Sequence, residues 1–199
     1  MRDLLIITIV LVGSLAALRR PWIGVLVWTW LSLMNPHRFA YGMSYSAPLA
    51  AIAAITTLTG LLLTKDKSSP FIGAPVSWFA IFCAWITLSW LFGMSPEGDY
   101  AQWNKVMKIN LMVLVALALI RSRLQIMALA WVVIASTALL GIKGGIFTFT
   151  NGGNFKVWGP PGSFIEDNNE FALALIVTVP LLRFLHLQVS SKWLKAALL

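Results

Sequence analysis

Residues 68–96 read SSPFIGAPVSWFAIFCAWITLSWLFGMSP, and no Lys, Arg, Asp or Glu interrupts them. The run exceeds the roughly 20 residues that an α-helix needs to cross a hydrocarbon core about 30 Å thick. Trp78, Phe79, Ile81, Phe82, Trp85 and Ile86 fill it so densely that a helix here has no polar face to offer water. The alternation of a barrel strand is missing. Backbone groups in lipid must be bonded within their own segment, so the run predicts a membrane-spanning α-helix.

Similar apolar blocks recur at 4–18, 22–34, 49–64, 76–93, 106–120, 124–142 and 171–187. They predict an all-α polytopic membrane protein of about seven spans, several of them short enough to need interfacial flanks. Turn residues separate the blocks: Arg19-Arg20-Pro21, Asn35-Pro36, Lys65-Asp66-Lys67-Ser68-Ser69-Pro70, Ser95-Pro96-Glu97-Gly98-Asp99 and Arg121-Ser122-Arg123. Composition agrees, with 59% hydrophobic and 11% charged residues, ten Trp and eleven Phe, and a mean hydropathy of +0.82. Arg2 followed by an apolar stretch and Ser14-Leu15-Ala16 has the outline of a signal peptide. Asp3 in the basic start and Arg19-Arg20 directly after the stretch argue instead for an uncleaved first span. The single cysteine, Cys83, excludes an internal disulfide.

The net charge of +8 sits in short connectors, which speaks for membrane topology and against nucleic acid. Placing Arg19, Arg20, Lys65, Lys67, Arg121, Arg123, Arg183, Lys192 and Lys195 in the cytoplasm leaves Arg2, Arg38, Lys105, Lys108, Lys143 and Lys156 outside. This positive-inside bias predicts an outside N-terminus and an inside C-terminus. Two polar segments then share the outer side, residues 35–42 and the longer residues 143–170. Lys105 and Lys108 fall at the outer end of span five, three residues apart on one helical face; they either snorkel or attract a lipid phosphate.

The longer segment combines glycines, Lys156, Trp158 and the acidic and amide run Glu166-Asp167-Asn168-Asn169-Glu170. Lys156 is suited to a phosphate, Trp158 to a sugar face or a headgroup, and Asn168 and Asn169 to sugar hydroxyls. The structural alternatives are turn formation, interfacial anchoring and capping of the following helix by Asp167, Asn168 or Asn169. His37 and Arg38 in the shorter segment are either solvated polar residues or a proton carrier beside a bidentate phosphate ligand. No P-loop, G-x-S-x-G or Cys/His metal spacing is present, and no metal or cofactor is predicted.

The string Trp158-Gly-Pro-Pro-Gly-Ser-Phe-Ile-Glu-Asp-Asn-Asn-Glu-Phe-Ala-Leu, opening an apolar helix, resembles the start of the conserved region of the bacterial O-antigen ligase and polymerase superfamily. The earlier Met34-Asn-Pro-His-Arg-Phe-Ala-Tyr-Gly is similar to a narrower branch, the O-glycosylation ligases associated with exosortase A. With the order of spans, the resemblance covers essentially the whole chain. It divides it into an N-terminal transmembrane region, residues 1–150, and the start of the conserved ligase region, residues 151–199.

The resemblance implies a C-type glycosyltransferase of the bacterial inner membrane, with the 143–170 loop periplasmic. Such a protein moves a glycan from a polyprenyl pyrophosphate carrier to an exported protein or lipid acceptor, without ATP. The acceptor hydroxyl attacks the anomeric carbon and the pyrophosphate leaves, which calls for a base and for cations. Relatives continue beyond the equivalent of Leu199 into a second periplasmic loop, where the catalytic residues are expected. The chain therefore reads as the N-terminal half of such an enzyme, with Lys156, Trp158, Asn168, Asn169, His37 and Arg38 as its substrate-binding candidates. Two other classes share the composition: a polyprenyl-glycan flippase or small-solute transporter, and a non-catalytic scaffold of exosortase-type machinery. A transporter differs in placing charged groups or broken helices at mid-membrane.

Overall fold

The computed structural model describes residues 2–69 and 73–198. Every described regular element is helical: α1 (Arg2–Arg19), α2 (Pro21–Met34), a 3-10 turn (Pro36–Phe39), α3 (Leu49–Leu63), α4 (Ala74–Leu91), α5 (Pro96–Leu119), α6 (Arg123–Thr150), α7 (Asn168–Gln188) and a short α8 (Lys192–Ala197). Each of the seven apolar blocks falls on one of the seven long helices, with one or two residues running past the end of α3, α4 and α5. Two of these, α6 and α7, are long and apolar enough to cross a membrane; α2, α3 and residues 75–91 of α4 are apolar but shorter. The charge-free run at 68–96 gives a helix of only 18 residues. Gly73, at φ 103°, stands before that helix, and Pro70, expected in the preceding turn, lies outside the described residues.

Two boundaries differ from the apolar pattern. Helix α5 begins ten residues before its apolar block, because Pro96 sits at its first turn and Glu97 and Asp99 lie at its positive end. Helix α6 runs on through Lys143 to Thr150, so the long polar loop spans 151–167 and not 143–170. Gly144 and Gly145 are helical residues. Gly144 makes room for Val157, whose Cγ1 lies 2.7 Å from where a Cβ would stand. The Thr148 hydroxyl donates to the Gly144 carbonyl at 2.9 Å and keeps the last turns in register.

Helix α2 is central, packing against α1, α3, α5 and α6, while α7 packs on α6 and α4 on α5. Small residues set the closest approaches. A Cβ on Gly24 of α2 would stand 2.0 Å from the Thr57 hydroxyl of α3 and 2.8 Å from Ala17 of α1. One on Gly60 of α3 would stand 2.3 Å from the Ala17 carbonyl. Helices approach this closely where small residues remove side-chain bulk from the interface.

Some hydroxyls are buried between helices while large apolar side chains face outward. Thr57, Ser136, Thr137 and Thr178 are buried, each donating to the carbonyl four residues back. Trp78, Trp85, Leu139, Ile142, Leu173 and Ile176 are exposed, Trp78 by 70% and Trp85 by 68%.

Candidate anion-binding site

The loop between α6 and α7 closes on itself. The Gly159 N–H donates to the Glu166 carbonyl at 2.9 Å, and the Gly162 N–H to the Glu166 carboxylate at 2.8 Å. Between these bonds, residues 160–163 form a β-turn in which the Ser163 N–H donates to the Pro160 carbonyl at 3.1 Å. Pro161 presets the second position, and Gly162, at φ 71°, supplies the left-handed third position of a type II turn. Gly159 is required for contact: a Cβ there would lie 1.6 Å from the Ile165 carbonyl oxygen.

This turn reaches back to the first third of the chain. Asn35, at φ 48°, ends α2 in the left-handed conformation that Asn tolerates, and its amide donates to the Pro161 carbonyl at 3.0 Å. The 3-10 turn that follows puts the Arg38 guanidinium over Gly162, with Nε and Nη2 each 3.6 Å from the position a Cβ would take. Lys105 of α5 donates to the Ser163 carbonyl at 3.4 Å. The two polar segments, 126 residues apart at the Asn35–Pro161 bond, thus meet in one structure.

A cavity of about 370 Å³ opens beside the turn, with Asn35, His37, Arg38, Asn104, Lys105 and Lys108 on its walls. Among the described residues, no Asp or Glu lines it. Arg38 and the exposed Lys105 and Lys108 bring like charge to one cavity, which attracts an anion; the Glu166 carboxylate is bonded to the Gly162 N–H of the same wall. Two polar side-chain atoms beside it lack a partner. His37 is 9% exposed with Nδ1 enclosed and unpartnered, and Arg38 Nε is likewise enclosed and unpartnered among the described residues. The Arg38 guanidinium carbon lies 4.9 Å over the Tyr45 ring, which fixes its plane. Burial first, and the neighbouring Arg38 charge second, hold the His37 imidazole below its ordinary pKa of 6.5. It is therefore mainly neutral at pH 7.

The chain belongs to DUF5935. That family, one of unknown function, is matched over residues 1–189. No curated protein and no solved structure matches the chain.

In this DUF5935 chain the sequence-predicted site residues separate into three places. His37 and Arg38 line the cationic cavity. Lys156 and Trp158 line a second cavity of about 220 Å³ with Phe39, Lys143, Val157 and Phe171. Arg38 and Phe39 are neighbours in the 3-10 turn, yet they border different cavities, so the turn is the wall between them. Lys143 stands 4.0 Å over the Phe39 ring. Asn168 and Asn169 line neither cavity and instead open α7, where Asp167 is the cap and accepts from the Asn169 N–H at 2.8 Å. Glu166 is occupied in closing the loop. Among the described residues, no group of three or more His, Cys, Asp or Glu is close enough to hold a metal ion.

Lys105 and Lys108 share a helical face in the sequence, but their meeting with Arg38 depends on α5 packing against α2. Asn35 and Asn104 carried no separate signal. Asn35 stood out only as a turn residue, and Asn104 sits one turn before Lys108 on the same face of α5.

Proposed function

We propose that this DUF5935 chain is a multi-pass protein of the bacterial inner membrane whose seven long helices all span the bilayer. In this reading it serves glycan transfer from a polyprenyl pyrophosphate carrier to a periplasmic acceptor, as the resemblance to O-antigen ligases implies. The exposed Trp and Leu residues and the buried, internally bonded hydroxyls suit a hydrocarbon surrounding, and the shorter helices reach bilayer length with their flanks. The observation that carries the transfer reading is the carboxylate-free cavity of Arg38, Lys105, Lys108 and His37.

In glycan transfer, the acceptor hydroxyl oxygen bonds to the anomeric carbon as the bond from that carbon to the pyrophosphate oxygen breaks, and the hydroxyl proton passes to a general base. Negative charge then accumulates on the departing pyrophosphate. Arg38 offers a planar fork with an idle Nε, and Lys105 and Lys108 offer mobile point charges one turn apart. Such donors act most strongly where water is excluded. The neutral His37 adds one hydrogen bond without further repulsion. Lys156 and Trp158, beyond the 3-10 turn, suit the sugar that projects from the same carrier.

The test uses native membranes, in which the chain meets the rest of the transfer machinery that supplies the catalytic residues. Arg38→Gln and Lys105→Gln should each weaken binding of a polyprenyl pyrophosphate-linked glycan by roughly tenfold or more, the scale of a charge-assisted hydrogen bond of about 1.5–3 kcal/mol, and should lower glycan incorporation into acceptor. Unchanged binding and incorporation in both variants would remove the cavity from the reaction. A cysteine replacing the exposed Asn154 should react with an impermeant thiol reagent from the periplasmic side of intact spheroplasts. Labelling only after permeabilisation reverses the topology and the reading with it.

A further inference from the structure

The cationic cavity opens onto apolar space on both sides of α5. Towards α6, it shares Ser32, Ile109 and Phe164 with a cavity of about 540 Å³. Towards α3, it shares Ala50 and Lys108 with a cavity of about 300 Å³. Trp28 of α2 borders all three and Met112 of α5 borders both apolar cavities, so this pair is the partition between them. The sequence accounts for both spaces. Helices α5 and α6 rest on α2 without substantial contact with each other, and on the other side Ala50, Ala51 and Ala54 bring no bulk to the α3 wall. The first space follows α5 from Ile109 to Ile120, about 16 Å at ~1.5 Å per residue, and the second follows α3 from Ala50 to Leu58, about 12 Å. Each starts at the cationic cavity and leads away from it.

We propose that these three cavities bind one anionic diacyl phospholipid of the phosphatidylglycerol type, with its phosphate among Arg38, Lys105 and Lys108 and one chain on each side of the Trp28–Met112 partition. Charge selects the head. Among the described residues no Asp or Glu lines the cationic cavity, so a zwitterionic head would bring its ammonium to three cations with no carboxylate to receive it. A glycerol head instead adds hydroxyls beside Asn104. The apolar space selects the chains. Two channels that leave one head site on either side of a partition match two acyl chains on one glycerol, and a single chain covers only one of them. Their walls of about 12 and 16 Å are close to half of a hydrocarbon core of ~30 Å, the depth of one leaflet. The inference goes beyond glycan transfer: it rests on the bilayer reading alone. Where transfer also occurs, the phospholipid holds the cations that the pyrophosphate of the carrier needs, and the two compete.

The experiment measures binding of phosphatidylglycerol to the protein in phosphatidylcholine nanodiscs, with phosphatidylethanolamine and single-chain lysophosphatidylglycerol as comparisons. Phosphatidylglycerol should bind at least tenfold more tightly than either. Arg38→Gln combined with Lys108→Gln should abolish its advantage over phosphatidylethanolamine. Phosphatidylglycerol carrying a photoreactive group on each chain should attach to residues 50–58 and to residues 126–133, and unlabelled phosphatidylglycerol should suppress both attachments. Ala54→Trp and Ala116→Trp, which each fill one channel, should each weaken phosphatidylglycerol binding at least fivefold and leave inorganic pyrophosphate binding unchanged. Ala54→Leu and Ala116→Leu should do the same to a smaller degree if a Trp variant does not fold. Equal affinity for phosphatidylethanolamine or for the single-chain lipid, attachment confined to one channel, or binding indifferent to the Ala54 variants would overturn the two-chain site. A chain that does not enter nanodiscs overturns the bilayer reading and the lipid site with it. Selective phosphatidylglycerol binding without any effect of Arg38→Gln on glycan incorporation overturns the transferase reading alone. Dependence of incorporation on Arg38 with no phosphatidylglycerol selectivity overturns the lipid site alone.

Discussion

Replacing Gly159 with Ala tests whether the 159–166 loop builds the cavity wall as described. The new Cβ would lie 1.6 Å from the Ile165 carbonyl oxygen and 2.7 Å from its carbon, where ordinary contact begins near 3.4 Å. Both neighbours are backbone and are tied to Glu166, so no side-chain rotation relieves the clash. The loop must open, and the bond from the Gly159 N–H to the Glu166 carbonyl breaks with it. Losing that bond costs about 0.5–1.5 kcal/mol, and relieving an overpacked contact costs about 1–3 kcal/mol. The closed loop is therefore destabilised by roughly 2–4 kcal/mol, which multiplies its open fraction by about 30 to 1,000. Amide hydrogen exchange on protein in nanodiscs reads this directly: the amides of 159, 162 and 163 should lose protection by that factor, while those of α1–α3 should not change. Gly145→Ala is the control. Nothing lies within 4 Å of its added Cβ and it sits inside α6, so it should leave the loop intact and stabilise the helix by up to about 1 kcal/mol. Unchanged protection at 159–163 in Gly159→Ala refutes the loop closure and, with it, the wall that the loop gives the cationic cavity.

Gly60→Ala should destabilise the α1–α3 interface by about 1–3 kcal/mol, because its Cβ meets the Ala17 carbonyl at 2.3 Å; a shift in the unfolding midpoint in mixed micelles checks it. His37→Gln should flatten the pH dependence of pyrophosphate binding. The free imidazole titrates below 6.5 and a bound anion raises it, so the wild-type to variant affinity ratio should grow as pH falls through the bound value and level off below the free one; a ratio independent of pH contradicts the placement of His37. Asp3 accepts from both the hydroxyl and the N–H of Ser44 and so ties α1 to the 41–47 segment. Asp3→Ala should speed amide exchange at Ser44 by roughly two- to tenfold, the loss of a hydrogen bond of about 0.5–1.5 kcal/mol.

The helices were legible because apolar blocks bounded by Pro, Gly and charge report local structure directly. Asn35-Pro36 ends α2 and starts the 3-10 turn as its chemistry requires, and Pro96 with Glu97 marks the true start of α5 although the apolar block begins later. Gly144-Gly145 misled for a physical reason. Glycine pairs are strong turn signals, but here Gly144 serves a close approach by Val157 inside a helix that the surrounding Ile146, Phe147 and Phe149 continue. A contact between residues 13 positions apart with no local signature cannot be read from either one.

The site was legible in its residue types and not in its grouping. Polar residues that end up at one end of a largely apolar bundle have few roles, so Arg38, His37, Lys105, Lys108, Lys156 and Trp158 each stand out in the sequence. What assigns them to two cavities is the 3-10 turn, which sends consecutive residues to opposite sides, and the choice of α2 as the helix on which both α5 and α6 rest. That packing follows from small residues and buried hydroxyls such as Gly24, Thr57 and Thr137, whose sequence signal is the absence of bulk. The same packing that brings Lys105 to the cavity of Arg38 leaves α5 and α6 apart, so the cationic cavity and the apolar space between those helices arise from one arrangement. A substitution that draws α5 onto α6 should thus close that space and displace Lys105 from the Ser163 carbonyl together.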